Sequence, residues 1–174
     1  MKKKFKNKGI LFWITGLSGS GKTTIAKTIL PKIIQKFGPT IHLDGDQLRK
    51  SLNLYGYSYK DRLDNSKKMT NIAKIITDQN INVVFSILGL ISKIRTRNKK
   101  IFKNYIEVFI NTKLENIIKL KKKKTYYQKK NVVGVNIKPE FPKKSDVVIN
   151  DLINKKNFEN EIFKEILKSV KKKL

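Results

Sequence analysis

The stretch whose residue types and spacing carry the most chemistry is Gly16-Leu17-Ser18-Gly19-Ser20-Gly21-Lys22-Thr23, followed by Thr24. It fits the P-loop pattern G-x-x-x-x-G-K-[ST]. Glycines let successive backbone N–H groups turn inward around phosphate oxygens. A helix starting at the end of the loop presents its positive end to the same oxygens. Lys22 can reach the β- and γ-phosphates, and the Thr23 hydroxyl suits Mg²⁺. The motif needs a strand before it and a helix after it. The apolar run Ile10–Thr15 and the helix-forming run Thr23–Phe37 supply both, which favours binding of a nucleoside triphosphate such as ATP over a plain Gly-rich turn.

A second group follows at Asp44-Gly45-Asp46, with Arg49 one helical turn later. A kinase needs a carboxylate to orient an acceptor hydroxyl and take its proton, and others near Mg²⁺, often through water. Two aspartates flanking a glycine at a strand end can do both. The alternative is a helix cap at Asp46 after a turn at Gly45; a P-loop upstream favours the chemical reading. Further on come Gly56-Tyr57-Ser58, Asp61-Arg62 and Asn65. Arg62 has the planar fork that grips anions, and Tyr57 a face on which a base can stack. The plainer reading is a helix start at Asp61 with a surface arginine and a core tyrosine.

The elements that must position these groups alternate along the chain. Strands are expected at Ile10–Thr15, Thr40–Leu43, Asn82–Ile87, Ile106–Ile110 and Val147–Ile149. Helices are expected at Thr23–Phe37, Asp61–Gln79 (with Ile72, Ile75 and Ile76 on one face), Ser92–Asn104, from Leu114, and at Phe158–Val170. The first strand is almost wholly apolar, as a strand buried on both faces should be. This alternation predicts a three-layer α/β/α fold of the P-loop NTPase type, with a mostly parallel central sheet. Ligands then bind at the carboxyl ends of the strands, where Gly16–Thr23, Asp44–Arg49 and the stretch after Ser86 all fall.

Length and composition set bounds. A chain of 174 residues, 39% hydrophobic, fits one domain over 1–174 with a basic tail at 1–8 and a lid-like segment at about 119–131. No cysteine and a single histidine, His42, exclude disulfides, thiol chemistry and His-rich metal clusters. The net charge of +27 reads either as attraction to nucleic acid or as compositional bias, with Lys, Asn and Ile abundant throughout. No aromatic platform accompanies the lysines, so nucleic acid is not an expected partner. Lys2–Lys8 before Gly9–Leu17 imitates a signal peptide, but the apolar part is short and leads straight into the phosphate loop. No run approaches the ~20 apolar residues of a membrane span. A cytoplasmic location, where ATP is available, and no membrane partner are the expectations.

Taken together, GLSGSGKTT at Gly16–Thr24, LDGDQLR at Leu43–Arg49 and GYSYKDRLDN at Gly56–Asn65 make the chain resemble adenylylsulfate (APS) kinases. YIEVFINTKLE at Tyr105–Glu115 and NVVGVNIKPEFPKKSDVVIN at Asn131–Asn150 extend the resemblance from about Gly9 to Asn150. The resemblance implies transfer of phosphate from ATP, with Mg²⁺, to the 3′-hydroxyl of adenosine 5′-phosphosulfate, the sulfate-assimilation reaction. It implies that Gly16, Leu17, Ser18, Gly19, Ser20, Gly21, Lys22, Thr23 and Thr24 bind ATP, and that Asp44, Asp46 and Lys22 are catalytic. Thr23 and Asp46 would serve the metal. Arg49, Arg62 and Asn65 would hold the phosphosulfate end while Tyr57, in place of the usual Phe, stacks on the adenine. A homodimer is also implied.

Three positions depart from the family pattern. Gly89 stands where the family commonly has the serine of Ile-Ser-Pro, in some members a phosphorylated active-site residue; Ser86 and Ser92 are the nearby serines. The lid pattern RD-x-KGLY is reduced to lysine-rich Leu120–Tyr126, with Lys123 and Tyr126 as its remnants. Val132 replaces an aromatic that closes over the adenine, a loss worth about 1–3 kcal/mol, or roughly 5- to 150-fold in affinity. Two alternatives follow: a related kinase acting on another activated nucleotide such as cytidine diphosphoramidate, in surface-polysaccharide synthesis, or a non-catalytic relative that binds nucleotide or nucleic acid.

Overall fold

All seven residues of the first strand, Ile10–Gly16 (β1), are buried, and they alternate between two cores. The computed structural model describes residues 8–119, 131–150 and 158–174. Ile10, Phe12 and Ile14 face one core and Leu11 and Trp13 the other, the period-two alternation of an extended chain. Four more strands follow: Thr40–Asp44 (β2), Asn82–Ser86 (β3), Asn104–Asn111 (β4) and Val147–Asn150 (β5). The sheet order is β2-β3-β1-β4-β5 and every pairing is parallel. The helices are Lys22–Phe37 (α1), Gly45–Ser51 (α2), Tyr59–Asp78 (α3), Ser92–Ile101 (α4), Leu114–Lys119 (α5) and Phe158–Lys173 (α6).

One face of the sheet is covered by α1 (Ile25, Ala26, Ile29, Ile33) and α6 (Ile162, Ile166, Val170). The other is covered by α3 (Met69, Ala73) and α4 (Ile94). This is the expected three-layer architecture. Neighbouring β1 and β3 send their chains to opposite faces, β1 into α1 and β3 into α4. Strands whose connections part in this way leave a crevice at their carboxyl ends.

Two expectations need correction. The buried face of α3 is Asn65, Ser66, Met69, Thr70, Ala73 and Thr77, and of the three isoleucines Ile76 packs, partly buried, against that core. Ile75 is 62% exposed, because it lies two residues from Ala73 and so about 200° around the helix. The segment after Asp44 is helical from Gly45, and its cap is Asp44 rather than Asp46. Most of the basic tail (1–7) and the lid positions Leu120–Tyr126 lie outside the described residues.

Candidate active site

Asp44 ends β2 in an extended conformation and caps α2. Its Oδ1 accepts the amides of Asp46 (3.0 Å) and Gln47 (3.1 Å), two of the N–H groups a helix start leaves unpaired. Its Oδ2 accepts the hydroxyls of Thr23 (2.7 Å) and Ser86 (3.0 Å). Burial pushes the Asp44 carboxyl up. The hydrogen bonds from Thr23, Gln47, Ser86 and Asp46 together outweigh it and hold the group below its ordinary value. Gly45 must be a glycine: a Cβ there would lie 2.9 Å from Ile87 Cγ1. The backbone between the two aspartates thereby packs against Ile87, just past the end of β3.

Ser86 was not anticipated as part of this cluster. Register sets it beside Asp44, and its Oγ also lies 3.0 Å from His42 Nε2. Burial chiefly, and Lys27 secondarily, lower the His42 pKa, with Asp44 opposing them. The sequence signal was a polar residue closing the apolar run Val83–Phe85.

The phosphate loop lies across from this cluster. Lys22 Nζ donates to Leu17 O at 2.7 Å, so it curls over its own loop. Ser18, Gly19, Gly21, Lys22, Thr23 and Thr24 line a cavity of about 800 Å³, together with Asp44, Asp46, Arg49, Tyr57 and Arg62. The remaining loop residues stand behind the lining. Leu17 is packed with Leu90, Phe109 and Val132, and Gly16 and Ser20 are buried.

The far side of the cavity is built on the start of α3. Ser58 and Asp61 form a reciprocal capping box, which fixes the entry to the helix. Arg62, one residue on, donates from Nε to Tyr57 O (3.0 Å) and from Nη2 to Asn131 O (2.9 Å). It thereby ties α3 to the segment bearing Val132. Arg49 donates from Nη2 to Gly56 O. The guanidinium carbons of Arg49 and Arg62 stand 4.5 and 5.4 Å from the Tyr57 ring centre, within cation–π range. Burial first, then the like charge of Arg49, lower the Arg62 pKa; Tyr57 and Asp46 act against them. Asp46 is thus near enough to Arg62 for its charge to act on it, whereas Asp44 is the carboxylate at Thr23.

Asn65 is the one acceptor residue not brought to the cavity. It is buried and donates to Tyr55 O at 3.1 Å, supporting the loop that carries Tyr57. Val132, 3% exposed, forms part of the lining, as do Gly89 and Leu90. Of the nearby serines, Ser86 is committed to Asp44, and Ser92 opens α4 outside the cavity with its amide on Glu140 Oε2 at 2.6 Å. Neither stands in for a serine at Gly89.

Thr23 and Asp44 offer two hard oxygens 2.7 Å apart within the cavity. Mg²⁺ is commonly held by one or two such protein groups, with phosphate oxygens and water completing the shell. No cluster of three or more His, Cys, Asp or Glu ligands occurs among the described residues. The donor set therefore fits Mg²⁺ carried in with a nucleotide.

Known proteins are similar to this chain in sequence and fold. A cytidine diphosphoramidate kinase of Campylobacter jejuni is 36% identical over 151 residues, spanning 84% of this chain and 88% of its own. An adenylyl-sulfate kinase of Buchnera aphidicola is 35% identical over 171 residues, spanning 90% and 79%. The structure of the APS kinase of Mycobacterium tuberculosis in complex with AMPPNP and APS superposes with a TM-score of 0.81 at 25% identity, covering 95% of this chain and 99% of that one. The family pattern described as adenylylsulphate kinase matches residues 8–150, a span that runs from the first strand through both halves of the cavity to the last strand. The chain belongs to the adenylylsulphate kinase family and is an ATP-dependent phosphotransferase of that type.

Proposed function

We propose that this kinase phosphorylates the ribose 3′-hydroxyl of adenosine 5′-phosphosulfate, and that Asp44, Asp46, Lys22, Arg49, Tyr57 and Arg62 are its working residues. The observation that carries the reading is the 2.7 Å hydrogen bond from Thr23 to Asp44, which joins the phosphate loop to the aspartate pair in one cavity with two arginines. Its elements form a single kinase domain over 1–174.

The acceptor oxygen attacks the γ-phosphorus in line, forming one O–P bond while the bond to the β–γ bridging oxygen breaks and ADP leaves. Loop amides and Lys22, released from Leu17 O, stabilise charge on the transferring group. Thr23 and Asp44 would hold Mg²⁺, which when bound supplies electrostatic stabilisation of the phosphate oxygens. Asp46, on the arginine side, orients the acceptor hydroxyl and takes its proton. Giving the metal to Asp44 departs from the resemblance, which implies Asp46 in that role, and the support for it is Asp44's place at Thr23. Arg49 and Arg62 bind the acceptor's anionic tail; Asn65 acts through the Tyr57 loop.

A second reading, cytidine diphosphoramidate as acceptor, is favoured by the Campylobacter relative and by the cavity wall. That wall has Val132 where an adenine-binding aromatic would stand, and a bare Gly89. The family resemblance further supports a homodimer and a cytoplasmic enzyme. Among the described residues no helix is long and apolar enough to cross a membrane.

ATP consumption measured with APS, cytidine diphosphoramidate and plain AMP and CMP decides between the acceptors. Turnover requiring one anhydride is the expected result, and Lys22→Ala should abolish it while the protein stays folded. Near-normal turnover in Lys22→Ala, or salt-sensitive nucleic-acid binding with no turnover at all, would refute the assignment.

A further inference from the structure

Ser86 ends β3 directly beside Asp44, and His42 lies two residues before Asp44 on β2. Alternate residues of a strand share a face, so His42 and Asp44 point the same way, and Ser86 meets both of them. Its Oγ lies 3.0 Å from Asp44 Oδ2 and 3.0 Å from His42 Nε2. A hydroxyl has one proton to donate, and an ionised carboxylate only accepts. The Ser86 proton therefore goes to Asp44 Oδ2. The Ser86 oxygen must then accept from His42, which places a proton on Nε2 of the imidazole. Two hydrogen bonds thus run in one direction, from His42 through Ser86 to Asp44, and each polarises the other.

An ionised carboxylate has about four acceptor positions. Two of those on Asp44 are taken, at Oδ1, by the backbone amides of Asp46 and Gln47 at the start of α2. A third, at Oδ2, is taken by Ser86, which is buried and backed by His42. The donor at the remaining position is the hydroxyl of Thr23, an exposed residue on the phosphate loop side. Backbone or buried donors fix the first three, so the position that can open to a cation is the one beside Thr23.

We propose that Ser86 and His42 are positioning residues for the divalent cation that accompanies the nucleotide, keeping Asp44 Oδ2 turned toward Thr23. Ser86 acts on Asp44 directly, and His42 acts through Ser86. The assignment rests on the reading that Thr23 and Asp44 hold Mg²⁺.

Calorimetry tests it without turnover. A non-hydrolysable ATP analogue is titrated into each protein once with Mg²⁺ and once with EDTA. The ratio of the two affinities isolates the contribution of the metal. Ser86→Ala should shrink that ratio about tenfold, the usual scale for a group hydrogen-bonded to a metal ligand. Its affinity in EDTA should stay within about twofold of wild type, since the loop itself is untouched. His42→Leu should shrink the ratio about threefold, whereas His42→Gln, which keeps an N–H at similar reach, should stay within about twofold of wild type. The double variant Ser86→Ala, His42→Leu should lose no more than Ser86→Ala alone, because His42 then has nothing to act through. Asp44→Asn serves as the control and should lose most of the Mg²⁺ effect.

An unchanged ratio in Ser86→Ala, additive losses in the double variant, or equal losses with Mg²⁺ and with EDTA would overturn the proposal. If Asp44→Asn loses the Mg²⁺ effect in the same series, the metal reading still stands. No difference between Mg²⁺ and EDTA in wild type, or a wild-type ratio in Asp44→Asn, would overturn the metal reading and this proposal with it. Should Ser86→Ala fail to fold, the two His42 variants carry the test, and equal ratios in His42→Leu and His42→Gln would refute it.

Discussion

Replacing Asp44 in two ways should separate its structural work from its chemical work. Asp44→Ala removes the cap from α2, worth about 1 kcal/mol. It also strips Ser86, 2% exposed, of an acceptor, at about 1–3 kcal/mol, partly relieved by His42. Thr23 is exposed and turns to water. The expected loss is therefore about 2–4 kcal/mol. Asp44→Asn keeps the shape, and Asn caps helices as well as Asp. Its Oδ1 still accepts the two amides. The new NH₂ faces two hydroxyls, which can rotate to accept. Its expected loss is about 1 kcal/mol or less. Activity should follow the opposite logic: with the negative charge gone, kcat should fall by at least about 10² in Asn and Ala alike. Urea unfolding and steady-state kinetics on the same preparations measure the two effects. Asp44→Asn with near-normal kcat would refute the electrostatic role, and equal destabilisation by Asn and Ala would refute the cap argument.

The folded Asp44 carboxyl titrates below its unfolded value near 3.9, so its contribution to stability is full above that pH and lost as pH falls through the folded pKa. Melting temperatures of wild type should drop more steeply on that acid limb than those of Asp44→Asn; parallel curves would contradict the linkage. His42, whose pKa is lowered chiefly by burial, adds a loss that begins as pH falls below about 6.5, and His42→Asn should flatten that part of the profile. Arg62→Lys loses the fork that spans Tyr57 O and Asn131 O while meeting an anion; the acceptor KM should rise about tenfold, with the ATP KM little changed. An unaltered acceptor KM would place the anionic tail elsewhere. Arg95→Met leaves Glu107 buried with Tyr105 and Ser145 but without its cation, and should cost about 3–5 kcal/mol in urea unfolding. Pairing it with Glu107→Gln should recover much of that loss; a purely additive double variant would argue against coupling across the 3.9 Å gap.

What the sequence determined by itself was whatever depends on neighbours along the chain. The P-loop follows from local backbone freedom and a helix start, the strands from apolar runs, and the layer order from their alternation with helices. Such features need no knowledge of what lies opposite. Asp44 and Asp46, two residues apart in one motif, were legible as a pair, but which of them stands at the Thr23 hydroxyl was not. That was decided by the pairing of β2 with β3, which sets Ser86 beside Asp44, and by the reach of Thr23 from α1. Asn65 read as a ligand-binding residue because its motif does; packing turned it inward onto Tyr55 O. Gly89 read as a missing serine. Only the tertiary structure supplied the reason, because the atoms that would meet a Cβ there, the Thr15 hydroxyl and the Trp13 indole, come from β1, 74 and 76 positions earlier in the chain, through the register of neighbouring strands.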